Sequence, residues 1–149
     1  MTATGHAVIG TLIAAKIPDP TIAIPLAVLS HIAADYFPHW DIGIGRDTKT
    51  QRQFFARGFY DVSIGFILSY LLIQFLFPQT NLVYAFVMII SAQFFDWITA
   101  PYLFFNWNFP PFIWFYKFQK KFDRPLDMPW GVIGQVAVLI GLIFLALNF

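Results

Sequence analysis

The chain alternates long apolar stretches with short polar breaks, and the breaks set the elements. From Val62 to Phe95 there is no Asp, Lys, Arg or His. One bilayer crossing needs about 20 apolar residues, so this run is long enough for more than one pass. Pro78-Gln79-Thr80-Asn81 interrupts it with turn chemistry. The pattern predicts one helix over about Phe59–Phe77 and a second over about Leu82–Phe105. Pro101 would kink or shorten the second one. A third apolar run predicts a helix over about Trp130–Leu147. Nearer the start, Thr4–Ile17 and Thr21–Phe37 are apolar, rich in small residues, and separated by Pro18-Asp19-Pro20. Each proline fixes φ and removes a donor, so a tight turn and a helical hairpin are predicted. The arms are short for spanning; they would cross a locally thinned bilayer or enter it partway. The expected fold is all-α, a polytopic membrane helical bundle. It has an N-terminal helical hairpin and three further transmembrane helices in one integral membrane domain, residues 1–149.

Two stretches do not read as spans. Thr48–Gly58 mixes Lys49, Arg52 and Arg57 with Phe54 and Phe55, and is expected to lie along the interface. Asn106–Phe118 is aromatic, holds Pro110-Pro111, and is expected at headgroup level with a short surface helix after the prolines.

Composition agrees with a lipid environment. Of the 149 residues 58% are hydrophobic and only 11% charged, against about 25% charged in an average soluble domain. So few charges cannot cover a water-facing surface, and the 19 Phe would leave large adhesive patches. A disordered chain is excluded for the same reason. Net charge is +1, which gives no basis for nucleic-acid binding. Cysteine is absent, which removes disulfides, thiolate metal sites and Cys nucleophiles. All eight acids are Asp.

The basic residues test the layout. Arg46, Lys49, Arg52 and Arg57 precede the first long helix, and Lys117, Lys120, Lys121 and Arg124 precede the last. Eight of nine therefore fall on one side of the predicted bundle, with Lys16 alone at the hairpin turn. By the positive-inside rule that side is cytoplasmic, as is the N-terminus. Trp40, Trp107, Trp114 and Trp130 sit near predicted helix ends, as interfacial anchors do. The first apolar stretch lacks a basic leader, so no cleavable signal pattern is expected.

Against this background, ionisable residues inside apolar segments are informative, because they are costly in a bilayer and mark functional sites. They are His6, His31, Asp35, His39, Asp41, Asp61 and Asp96. His31 and Asp35, at i and i+4, share one helix face. Imidazole plus carboxylate one turn apart suits a divalent metal. His39 and Asp41 follow directly after Pro38. His6 lies 12 residues before Pro18 and His31 lies 11 after Pro20, so both stand about 17–18 Å from the same turn. Asp61 is 17 residues before Pro78 and Asp96 is 15 after Asn81, about 23–26 Å from their own turn. All four are expected to meet in the cytoplasmic half of the bundle.

Each residue has a plainer alternative. His31 and Asp35 would form a buried hydrogen bond, and His6 would be a solvated terminal histidine. Asp61 would be a first-turn Asp favoured by its helix dipole. Asp96 would be a neutral, hydrogen-bonded acid. Arg57 would either snorkel to headgroups, the favoured reading, or bind an anionic substrate. Asp123 and Asp127 read as solvated partners of nearby bases. Phosphate-binding glycine loops and the nucleophile elbow of serine hydrolases are absent.

Thr4-Gly5-His6-Ala7, Ser30-His31-Ile32-Ala33-Ala34-Asp35 and Pro38-His39-Trp40-Asp41 resemble segments of a family of small bacterial inner-membrane proteins classed as metal-dependent hydrolases. Arg57-Gly58 resembles the family's Arg-Gly element, which in many members precedes a His-Ser pair; here Asp61 stands in that neighbourhood. Gln119 and Lys120 stand where such relatives carry histidines, and Gly131–Val138 resembles their closing helix. The resemblance implies a multi-pass protein of the bacterial cytoplasmic membrane that hydrolyses its substrate with a metal ion.

Two functions follow. The first is a metal-dependent hydrolase holding a divalent ion, Zn²⁺ before Mn²⁺ or Mg²⁺, on His6, His31, Asp35 and Asp61. His39, Asp41 and Asp96 are further or second-site ligands, Arg57 is the candidate substrate-binding residue, and the expected substrate is a lipid phosphoester. The second is non-catalytic: an ion or proton transporter, or an accessory subunit, built on the same polar core.

Overall fold

A computed structural model describes residues 1–149. It has seven α-helices: α1 (Ala3–Lys16), α2 (Pro20–Tyr36), α3 (Gln51–Leu76), α4 (Leu82–Ala92), α5 (Phe94–Phe105), α6 (Phe112–Gln119) and α7 (Trp130–Asn148). A short 3₁₀ turn covers Arg46–Thr48. The fold is all-helical, and its one β-bridge pairs His39 with Pro125.

The predicted hairpin is α1 and α2. Thr2 caps α1 by accepting from Gly5 N, and Asp19 caps α2 by accepting from Thr21 N, with Pro20 at the first helical position. α1 is apolar all round, and every residue from Gly5 to Leu12 is buried, as expected of a helix enclosed by others. It is the central strut, packed against α2, α3, α4 and α7. Gly10 permits its closest crossing: a Cβ there would come within 2.7 Å of the Met88 carbonyl oxygen and 2.9 Å of Ile89 Cα. Ala14, Ala23, Ala27, Ala85 and Ala92 let α1, α2 and α4 close around Met88 and Ile73. The two turns predicted at one end meet there, since the Tyr84 hydroxyl donates to the Ile17 carbonyl at 2.6 Å.

Two helices, α3 and α7, are long and apolar enough to cross a membrane, and α4 with α5 makes a third crossing if the bent pair is one span. That is fewer than four full crossings, because the hairpin arms have only 14 and 17 residues and α1 is enclosed by protein. Apolar side chains cover the outside of the long helices; Ile67, Phe75, Ile140 and Phe144 are all exposed.

Three boundaries differ from expectation. α3 begins at Gln51, so most of the stretch Thr48–Gly58, from Gln51 on, forms the first turns of α3 and is not a separate segment. Thr50 and Gln53 form a reciprocal capping box there. The helix predicted over Leu82–Phe105 bends by 56° at Gln93, and α5 runs through Pro101. The Gln93 amide instead reaches across to the Ala3 carbonyl at 2.9 Å. Trp40, expected as an interfacial anchor, is partly covered by the start of α7, whereas Trp107, Trp114 and Trp130 are exposed.

Candidate metal centre

The hairpin brings its two histidines together. The rings of His6 and His31 stack with centroids 3.7 Å apart. His6 Nε2 lies 3.1 Å from Asp35 Oδ1, and His31 Nε2 lies 3.2 Å from Asp35 Oδ2. α5 adds Asp96 from its first turn, 3.9 Å from His31 Nε2. His6, His31 and Asp96 each offer one ligand atom, and these atoms lie within 4.8 Å of one another. Ligands around a tetrahedral zinc ion, at about 2.0–2.1 Å from it, stand about 3.3 Å apart. His6, His31 and Asp96 could hold one small divalent cation once the stacked imidazoles turn and the ligand atoms draw closer.

The surroundings set the histidine chemistry. His31 Nδ1 lies 2.8 Å from the Ala92 carbonyl, which has only lone pairs, so Nδ1 donates and Nε2 is the atom free to accept or to bind a cation. Asp96 Oδ2 is buried without a hydrogen-bond partner, a cost that a bound cation removes. Gln119, at the end of α6, places its amide nitrogen 3.3 Å from both His31 Nε2 and Asp35 Oδ2. Its carbonyl end meets the Thr99 hydroxyl at 3.5 Å. The Met1 amine donates to Asp35 Oδ1.

A cavity of about 430 Å³ adjoins the centre. Asp96, Gln119 and Asp123 belong to its wall, together with Arg46, Lys120 and the aromatic rings of Phe54, Trp97, Phe104 and Tyr116. The His and Asp cluster thus stands behind a pocket with an apolar body and a few polar groups, the usual form of a small-molecule site.

The other sequence candidates do not join the group of His6, His31 and Asp96, although Asp41 and Asp61 line the same cavity. Asp61 is engaged by the start of α1: it accepts from Ala3 N at 2.8 Å, Thr4 N at 3.0 Å and the Thr4 hydroxyl at 2.7 Å. It caps a neighbouring helix rather than joining the histidines, and sits eleven residues into α3 rather than in its first turn. The helical rise gave its level correctly, but not the direction it faces. Asp41 lines the cavity, accepts from Gly43 N, and burial pushes its carboxyl above the ordinary value. Arg57 is exposed and is not in the cavity wall; Arg46 and Lys120 are the cationic groups there. His39 is buried but faces Asp123, 3.3 Å away.

Sequence reasoning missed Gln93, Thr99 and Asp123 as parts of this region. Gln93 was visible as an amide inside a charge-free run, and Thr99 as a hydroxyl three residues after Asp96. Asp123 carried no signal beyond its basic neighbours, because a backbone pairing distant in sequence brings it in. No family model, curated protein or solved structure matches this chain.

Proposed function

We propose that the chain is a membrane-embedded, metal-dependent hydrolase that acts on a lipid phosphoester at the cytoplasmic face of a bacterial inner membrane. The observation that carries this reading is the convergence of His6, His31 and Asp96 beside a cavity whose wall Asp96 shares. A nitrogen and carboxylate donor set of this kind suits Zn²⁺ first. A divalent ion at this point supplies Lewis acidity and a water nucleophile at neutral pH.

The chain's own residues do the rest. His6, His31 and Asp96 hold the ion, with Asp35 between the two histidines. Gln119 donates to Asp35 Oδ2 from the cavity side and orients that carboxylate, while the Ala92 carbonyl orients His31 through Nδ1. Arg46 and Lys120 present positive charge to a phosphate, and the aromatic wall receives the apolar part of the molecule. The basic clusters that flank α3 and α7 support a cytoplasmic orientation for this end of the bundle.

The test is formation of a phosphomonoester, either a released headgroup phosphate or phosphatidic acid, from phosphatidylglycerol and phosphatidylethanolamine vesicles by the purified, Zn²⁺-loaded protein. Turnover that stops on chelation, and that His31→Ala lacks, supports the reading. Turnover indifferent to chelation overturns it. A transporter instead needs access from both faces. Labelling of a cysteine introduced beside Asp96 from both sides of the membrane favours that alternative; labelling from one side favours the hydrolase.

A further inference from the structure

His39 is the one histidine outside the ion site just described. It is 0% exposed. Its Nδ1 lies 2.7 Å from the Phe37 carbonyl and donates to it, so in the neutral ring Nε2 carries the lone pair. That atom has no hydrogen-bond partner. Facing it are two carboxylate oxygens, Asp123 Oδ1 at 3.3 Å and Asp35 Oδ1 at 3.9 Å. A neutral His39 sets a buried lone pair against two anionic oxygens, an arrangement that a cation held among the three atoms relieves. One nitrogen and two carboxylate oxygens are also the donors a divalent ion takes.

The backbone fixes this meeting. Arg124 N donates to the Asp35 carbonyl at 3.1 Å, His39 N to the Arg124 carbonyl at 3.2 Å, and Leu126 N to the His39 carbonyl at 2.6 Å. The segment carrying Asp123 is thereby held against the end of α2. Lys120 Nζ grips Asp123 Oδ2 at 2.6 Å, which leaves Oδ1 for His39. The cationic group that Asp35 Oδ1 meets in this structure is the Met1 amine, and a metal ion would take its place.

We propose that His39, Asp123 and Asp35 form a second divalent-cation site, with Asp35 shared between it and the ion of His6, His31 and Asp96. This rests on the hydrolase reading and extends it to a two-metal centre. Carboxylate-linked pairs of this type stand about 3.5–4 Å apart and clamp both sides of a phosphoryl group. Asp123 lies in the cavity wall, so the second ion faces the bound phosphate.

The test loads the purified full-length chain with Mn²⁺ and measures metal per chain together with the electron paramagnetic resonance spectrum. Two ions per chain with a spin-coupled spectrum are expected. Asp123→Asn and His39→Ala should each fall to one ion with an uncoupled spectrum. One uncoupled ion in the wild type overturns the second site and leaves the first standing; no bound ion overturns both. Two coupled ions retained in both variants also overturn the assignment. The wild-type stoichiometry decides the matter even if a variant fails to fold.

Discussion

His6 and His31 stack with their rings 8° from parallel, and both direct Nε2 toward the same carboxylate, Asp35. One comes from α1 and the other from α2, so the hairpin itself assembles the centre. In the proposed metal centre, losing either imidazole removes a direct ligand. His6→Ala and His31→Ala should each weaken Zn²⁺ affinity by more than the about 10–100-fold typical of an outer-shell loss. Competition against a zinc-binding dye measures this; affinity within threefold of wild type in either variant contradicts it.

Gln119 reaches the centre through its amide, which donates to Asp35 Oδ2 at 3.3 Å and so orients that carboxylate. Gln119→Leu keeps the shape and removes the polar contact. Zn²⁺ affinity should drop about 10-fold or more, while the thermal midpoint of the metal-free protein barely moves. Unchanged affinity would show that the amide does not orient the ligands.

Asp61 separates helix capping from metal binding. It accepts two backbone N–H groups and one hydroxyl from the first turn of α1. Asp61→Ala should cost about 1–3 kcal/mol by leaving those donors unmet, yet leave metal content per folded chain as in wild type. Denaturant unfolding and elemental analysis read the two effects. A folded Asp61→Ala protein that binds no metal would make Asp61 a ligand after all.

Gly131 lets the start of α7 cross the segment that carries His39. A Cβ there would sit 2.0 Å from the Leu126 carbonyl oxygen and 2.7 Å from Trp40 N. Gly131→Ala should destabilise by about 1–3 kcal/mol through overpacking. At Gly141 a Cβ meets nothing within 4 Å, so Gly141→Ala should be neutral or stabilise by up to about 1 kcal/mol. Paired thermal unfolding curves check the contrast, and equal midpoints for the two variants contradict it.

Residue spacing made the hairpin and the common level of His6 and His31 legible, because prolines mark the turn and helical rise converts residue count to height. Rotation was not legible: the same arithmetic put Asp61 at the right height but could not tell that it faces the start of α1. Nor was the bend at Gln93, since no glycine or proline marks it and the amide's partner, Ala3, is 90 residues away. The start of α3 carried a readable signal, Thr50 and Gln53 at capping-box spacing, but Lys49, Arg52 and Arg57 gave that stretch an interfacial look. Asp123 was hidden for a different reason. The backbone pairing of His39 with Pro125 brings it in, and no periodicity announces a single bridge between loops.

The central claim is that this polar core holds a metal ion. The most direct measurement is elemental analysis of the purified protein after Zn²⁺ loading and removal of excess metal, alongside folded His31→Ala and Asp96→Ala. The account predicts at least one zinc per wild-type chain and a large loss in both variants. Negligible zinc in the wild type, or equal zinc in all three, would contradict it.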